Sequence, residues 1–436
     1  MEMIPSLEVL PEEIIDFIAA ELSYEEVRPS IQALSNLSRA SRKFRRIAQP
    51  HLYRTIHILI VRNSAYDPCV QIQQLLRTLH EVPALQKHIT KIRSMEYWST
   101  SDYGSVSETS DILASHRPEH FNSCLHDLLI LAPQAKLIDL RNYSIRTGED
   151  LQTWMPLVRS HACRQCPPVA GKKMFQNLRR LEISIIEATI SEIATFFSIP
   201  SLEAASFTIA SLDPYSSYRD WESTKSRIRH LQFKAIGFPT RLWMHEIRHG
   251  FQQVAGACIS LESFDFSLHS SSDEYNGVYQ DIIEAFTTQL RTGCVRHFGL
   301  WSRETPVRIL TGPLSDSFCH IWQDASPSLT ALKIDAVMMC RHLPDGSAFF
   351  ELLGALPRSL THLTLRHNPC NGRFSGSSFL KTTLLTFAAR FGLVVPQLEY
   401  LVLEVTERYG AQGYDPLDLQ AVKDAFLAKG VCIQIE

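Results

Sequence analysis

The sequence predicts an α/β protein: a short three-helix unit over residues 1–55, then an irregular solenoid of parallel strands and outer helices over 56–436. Three observations predict it. The first fifty residues carry three short amphipathic helical segments. An apolar-x-x-apolar-x-apolar hexamer then recurs along the chain, and the stretches between hexamers have helical periodicity.

With 45% apolar and 20% charged residues in 436, the composition is that of an ordinary folded protein and excludes a disordered or collagen-like chain. Lys and Arg number 43 against 46 Asp and Glu, a net charge of −3. Nucleic-acid binding by the whole chain is therefore not expected, because it needs clustered excess cations. Ten scattered cysteines fit buried thiols in a reducing compartment better than a disulfide scaffold. The N-terminus is acidic and mixes carboxylates into its apolar face, unlike a secretory signal. No uncharged apolar run approaches the ~18 residues of a membrane span. The expectation is a soluble intracellular protein, cytoplasmic or nuclear, without membrane contact.

The first element is a helix from Pro11 to Leu22. Pro11 suits a first turn, Glu12 and Glu13 suit the positive end of the helix dipole, and Ile14, Ile18 and Leu22 share one face. Residues 24–29 break the pattern before a second apolar series, Ile31, Leu34 and Leu37. A third helical piece, residues 38–48, puts Ala40, Phe44, Ile47 and Ala48 on one side and its arginines largely on the other. Pro50 is expected to stop it, and LYRTIHILI reads as a strand.

Three such helices bury too little surface to stand alone, so they must lean on the rest of the chain or on another protein. The ordered set Leu10-Pro11, Ile14/Ile18, Leu37, Ser41-Arg42, Phe44, Ala48, Pro50 and Leu52-Tyr53 resembles the F-box in its fungal form, over residues of about 7 to 56. Ala40 departs from that pattern, where a larger aliphatic residue is usual. The resemblance implies docking on a Skp-type adaptor through Leu10, Pro11, Ile14, Ile18, Leu37, Phe44, Pro50 and Leu52, either facing the adaptor or supporting the face that does. The competing readings are a cap on the following domain and a basic nucleic-acid helix. The second is disfavoured because the charges surround a helix that also carries Phe44 and Ile47.

The hexamer occurs as Ala135/Ile138/Leu140, Leu178/Leu181/Ile183, Leu202/Ala205/Phe207, Ile228/Leu231/Phe233 and Leu261/Phe264/Phe266. It continues as Val295/Phe298/Leu300, Leu329/Leu332/Ile334, Leu360/Leu363/Leu365 and Leu398/Leu401/Leu403, with a degenerate copy at Ile89/Ile92. Its second and third apolar positions lie two apart, on one face of a strand. The intervening segments 148–162, 279–293 and 346–357 read as helices. Strand then helix, repeated, is the pattern of a leucine-rich-repeat solenoid, in which stacked neighbours share one core. Spacings run from 24 residues (Leu178 to Leu202) to 43 (Ala135 to Leu178). Most exceed the regular ~20–29, so the array is irregular. Polar insertions are read at 99–111, 211–226, 269–277 and 367–378. A helix over 415–430 and a strand over 431–436 close the array.

Two motifs carry possible metal chemistry. His245-Glu246-Ile247-Arg248-His249 has HExxH spacing, with two ligands one helical turn apart and a general base between them. Arg248 would bring a cation to the metal, the third-histidine position holds Ala255, and Glu274 or Glu284 would have to complete the site. His161-x-Cys163-x-x-Cys166 is half a zinc site without a second pair. No metal, cofactor or catalytic residue is therefore expected.

An F-box followed by leucine-rich repeats resembles the substrate-receptor subunits of SCF-type cullin–RING ubiquitin ligases. The resemblance implies a Skp-type adaptor, through it the ligase, and a target protein held by the repeats. A repeat scaffold outside ubiquitin transfer is the alternative, and a zinc peptidase the remote one. Residues between and just after the apolar hexamer positions point to the open face of the sheet: Arg180, Glu182, His230, Lys234, Asp265, His297, Trp301, Lys333, Asp335, His362, Arg366, Tyr400 and Glu404. Of these, His297, Trp301, Arg366 and Tyr400 are expected to hold the target, since aromatics and arginines are the usual interface anchors.

Overall fold

The computed structural model describes residues 10–24, 28–61, 68–97, 121–145, 175–213, 225–237, 244–268, 278–292, 294–302, 328–335, 356–367, 377–405 and 419–435. The helix expected at 148–162, most of that expected at 346–357, and most of the polar insertions lie outside them.

α1 spans Glu12–Tyr24. Pro11 stands just before it, and its carbonyl accepts the Ile14 and Ile15 N–H groups. α2 spans Arg28–Ala40 and α3 spans Arg42–Leu52. The single helical piece read over 38–48 is thus divided. Ser41 is extended (φ −156°, ψ 168°), and its hydroxyl accepts the Phe44 N–H at 3.2 Å, capping α3. Ala40 consequently ends α2, exposed, and leaves the apolar side of α3 to Phe44, Ile47 and Ala48. Pro50 does not stop α3, which runs on to Leu52. A proline in the last turn forfeits one bond, to Arg46, while the Tyr53 N–H still reaches the Gln49 carbonyl.

The three helices enclose two small clusters. Ile15, Phe44 and Ile47 form one, with Leu10 and Leu37 against it. Ala19, Leu34 and Ala48 form the other, with Leu22, Leu37 and Leu52 against it. Polar ties join α1 to α3: Arg46 to Glu12, His51 Nε2 2.8 Å from Asp16, and Lys43 donating to the Leu10 carbonyl at 2.9 Å.

Among the described residues, twelve strands follow in chain order: β1 Thr55–Val61, β2 Lys91–Tyr97, β3 Leu137–Ile145, β4 Arg180–Thr189, β5 Ala204–Asp213 and β6 His230–Gly237, then β7 Ser263–Leu268, β8 His297–Ser302, β9 Ala331–Asp335, β10 His362–His367, β11 Tyr400–Val405 and β12 Cys432–Ile435. The chain divides into two compact units. Met1–Ile186 with Ile199–Leu202 form one, and Glu187–Ser198 with Glu203–Glu436 form the other. In the first, β1 pairs with β2, β2 with β3 and β3 with β4, all parallel. In the second, β5 to β12 pair in sequence, again all parallel. The expected α/β architecture of strand–helix repeats with parallel strands is therefore present.

Every apolar position of all nine hexamers is buried, as are Ile89 and Ile92. The residue before each strand sets the register: the Arg229, Glu262, Arg296, Thr330 and Thr361 carbonyls each accept two N–H groups from the next repeat, at 2.8–3.0 Å. In the second unit the core is a phenylalanine stack, Phe207–Phe233–Phe264–Phe298, with ring centroids 5.5, 6.4 and 5.4 Å apart. Helices lie on this face. Phe251, from helix Met244–Ala257, sits edge-on to Phe233 and Phe266, and Phe286, after helix Val278–Ala285, lies 4.1 Å from Phe264. The 279–293 prediction resolves into that helix and Thr287–Thr292. The C-terminal helix spans Gln420–Leu427, ends before the 430 read for it, and closes through Gly430 at φ 79°, a left-handed position that suits glycine; residues 415–418 of that reading lie outside the described residues.

Candidate functional site

Two surfaces carry the expected site residues. On α1, the residues that fill the core are Ile15 and Ala19; Ile14 and Ile18 of the predicted stripe point outward, 46% and 38% exposed. Phe17, between them, is 63% exposed. Pro11 is exposed as well, whereas Leu10, Leu37 and Phe44 pack in the cluster beneath, and Pro50 and Leu52 are half-buried. The expected set therefore splits into an outward part (Pro11, Ile14, Ile18) and a supporting part. Phe17 was missed because it breaks the i, i+4 spacing; its place three residues after Ile14, on the same outward side, is the signal that could have found it. Three large apolar side chains on one side of a short helix form a patch of the kind that marks an interaction surface.

The second surface is the sheet face opposite the phenylalanine stack, in the second unit. Parallel pairing aligns its residues in rows across strands. One row runs His230–Ser263–His297–Ala331–His362–Tyr400. Tyr400 is 45% exposed and stacks on His362, centroids 4.7 Å apart. His297 is half-buried, its Nε2 3.0 Å from Asp265 Oδ1, and the Asp265 carboxylate lies over Gly299, where a Cβ would meet Oδ1 at 2.0 Å. Trp301 is partly exposed: Lys333 Nζ lies 4.9 Å and Arg366 Cζ 4.7 Å from its ring centroid, distances that give cation–π attraction. Lys333 also pairs with Glu404 at 2.6 Å.

Trp301 and Arg366 are thus brought together, while His297 and Tyr400 pair with other neighbours. Three residues read as open-face side chains are in fact buried: Arg366 at 7%, Asp335 and Glu182. Arg366 is covered because its head lies against Trp301, two strands away. Glu182, in the first unit, is held by Arg141 at 2.7 Å and Arg180 at 2.5 Å, and Arg141 also bonds Asp139. The hydrogen bond to Asp139 raises the Arg141 pKa further. These charges satisfy one another and offer no free chemistry.

The HEIRH segment begins helix Met244–Ala257. Arg248 pairs with Glu284 at 2.5 Å, which engages the glutamate that could have completed a zinc site, and His249 lies 3.0 Å from Gln253. Among the described residues no three His, Cys, Asp or Glu side chains are placed to hold a metal ion. Cys163 and Cys166 lie outside them. Burial pushes the Cys258 thiol up to about 12, which makes it inert as a nucleophile at neutral pH. No helix among the described residues is long and apolar enough to cross a membrane. In comparisons with known proteins, no family model matches the chain and no curated protein is significantly similar to it.

Proposed function

We propose that the chain is the substrate-recognition subunit of an SCF-type cullin–RING ubiquitin ligase. Its first 55 residues would be an F-box docking on a Skp-type adaptor, and its repeats, of the leucine-rich kind, the surface that holds a target protein. The observation that carries the reading is the outward side of α1. Ile14, Phe17 and Ile18 are exposed on a unit whose core is already filled by Ile15, Ala19, Leu34, Phe44 and Ala48. Packing within the unit does not need them; a partner's apolar groove does. The sequence motif of Leu10 to Tyr53 says which partner, and the buried hexamers support the repeat half of the reading.

On this reading the chain supplies no reacting group. It holds target lysines close to a charged conjugating enzyme, so its contribution is effective concentration. The test is co-purification of the tagged chain with a Skp-type adaptor, using a variant with Ile14→Ser, Phe17→Ser and Ile18→Ser. Adaptor capture is expected to be lost with the melting transition unchanged. Undiminished capture would falsify the docking face. A wild-type chain that captures no adaptor would leave the repeats as a scaffold outside ubiquitin transfer.

A further inference from the structure

Charge is segregated between two helices of the N-terminal unit. α1 carries Glu12, Glu13, Asp16 and Glu21 and no Lys or Arg, whereas α3 carries Arg42, Lys43, Arg45 and Arg46 and no Asp or Glu. Part of the imbalance is settled inside the unit: Arg46 pairs with Glu12, His51 meets Asp16, and Lys43 donates to the Leu10 carbonyl. Arg42 and Arg45 are left over. Both are exposed, and among the described residues neither side chain has a hydrogen bond or an ion pair.

Their place in the helix makes this unfavourable. Arg42 is the first residue of α3 and Arg45 the fourth, and the first turn holds no carboxylate. The start of a helix is the positive end of its dipole, which favours anions and disfavours cations. Three positions apart, the two guanidiniums are also neighbours on one side of the helix and repel each other. Packing does not require them, since Phe44, Ile47 and Ala48 form the buried side of α3. An anion brought by a partner offsets both penalties.

The surroundings restrict what carries that anion. Nucleic acid is held along a track of roughly six to ten phosphate contacts. Arg42, Arg45 and the exposed Arg39 at the end of α2 fall well short of one, and Arg46 beside them is engaged by Glu12. A lipid surface takes a helix by its apolar face, and that of α3 is buried. The exposed Ile14, Phe17 and Ile18 of α1 stand among Glu13, Asp16 and Glu21, which anionic headgroups repel. A short protein segment with two carboxylates fits, because each guanidinium forks one of them bidentately.

We propose that the Arg42–Arg45 side of α3 is a docking site for an acidic, Asp- or Glu-bearing segment of the adaptor protein that takes the apolar side of α1. Three apolar side chains alone cover much less than the ~800 Å² per partner of a stable interface, so a second contact is needed. The inference rests on the adaptor reading and gives that partner an electrostatic contact.

The experiment uses the full chain and a fluorescent oligo-glutamate peptide, with oligo-glutamine of equal length as control, read by anisotropy. Saturable, salt-sensitive binding of oligo-glutamate alone is expected. The double variant Arg42→Glu, Arg45→Glu should abolish it and lower adaptor capture at least tenfold. The same variant puts carboxylates at the positive end of α3, so its melting temperature should hold or rise. Equal binding of oligo-glutamine, unchanged peptide binding by the double variant, or loss of binding together with a lowered melting temperature overturns the proposal. Tighter binding of poly-uridylate or of phosphatidylserine vesicles than of oligo-glutamate overturns it too, and assigns the arginines to phosphate. Adaptor capture undiminished in the double variant overturns the assignment of the segment to the adaptor. Ile14→Ser, Phe17→Ser, Ile18→Ser is expected to leave oligo-glutamate binding intact, so failure of the adaptor reading and failure of this site are separate results.

Discussion

Gly299 lies under the carboxylate that Asp265 extends towards His297, and a methyl group at Gly299 would stand 2.0 Å from Asp265 Oδ1. The obstacle is the end of a side chain, so Gly299→Ala is expected to swing Asp265 aside and cost about 1 kcal/mol through the lost His297 pair. In an Asp265→Ala background the same substitution should cost almost nothing. Additive losses in that double-mutant cycle, measured by urea denaturation, would show that Gly299 serves the backbone instead. Cys258 makes a second test at this scale. Burial moves its pKa from 9.0 to about 12, so the folded chain keeps its proton where the unfolded chain loses it. Its contribution to stability is complete below pH 9 and falls as the pH rises towards 12. Cys294 and Cys432 are exposed. At pH 8 iodoacetamide should label those two and leave Cys258 unlabelled until denaturant is added; prompt labelling of Cys258 in the native chain would contradict its burial.

At the scale of elements, α1 shows how apolar residues divide between core and surface. Ile14, Ile18 and Leu22 share a helical face by spacing, yet Ile15 and Ala19 fill the clusters with Phe44, Ile47, Leu34 and Ala48. Four consecutive positions of α1 are apolar or small in two overlapping stripes, and spacing alone does not say which stripe faces inward; α2 and α3 decide it. The division predicts opposite phenotypes. Ile15→Ala should destabilise the three-helix unit by about 2–4 kcal/mol, the cost of a buried cavity. Ile14→Ser should change stability by less than about 0.5 kcal/mol and weaken adaptor capture. Equal destabilisation by the two, measured by thermal unfolding, would remove the exposed stripe. The boundaries within residues 38–52 were illegible for a related reason. Ser41 has neither forbidden nor required helix by type, and only its extended backbone makes it the cap of α3. Pro50 is tolerated because it falls in the last turn, where few downstream bonds remain to be lost.

On the scale of the whole molecule, the repeats were legible because one apolar face is shared by every strand, so each hexamer announces the same buried positions and all prove buried. The open face was legible in its direction but not in its pairings. Arg366 closes on Trp301 from 65 residues further along the chain, and Lys333 reaches Glu404 across 71; no local pattern encodes contacts made two strands away. The same stacking makes a prediction about how the chain unfolds. Phe264 touches Phe233 and Phe298 in the neighbouring strands and Phe251 and Phe286 from the helices behind them. Phe264→Ala should therefore cost about 3–5 kcal/mol, the range for a buried phenylalanine truncated in a core that cannot fully collapse. Because each repeat leans only on its neighbours, that loss should be local. Amide exchange is expected to accelerate in β6, β7 and β8, with β1, β2 and β3 keeping wild-type protection. Uniform loss of protection in every strand would mean that the array unfolds as one cooperative block, and that its core is not built by neighbour-to-neighbour stacking.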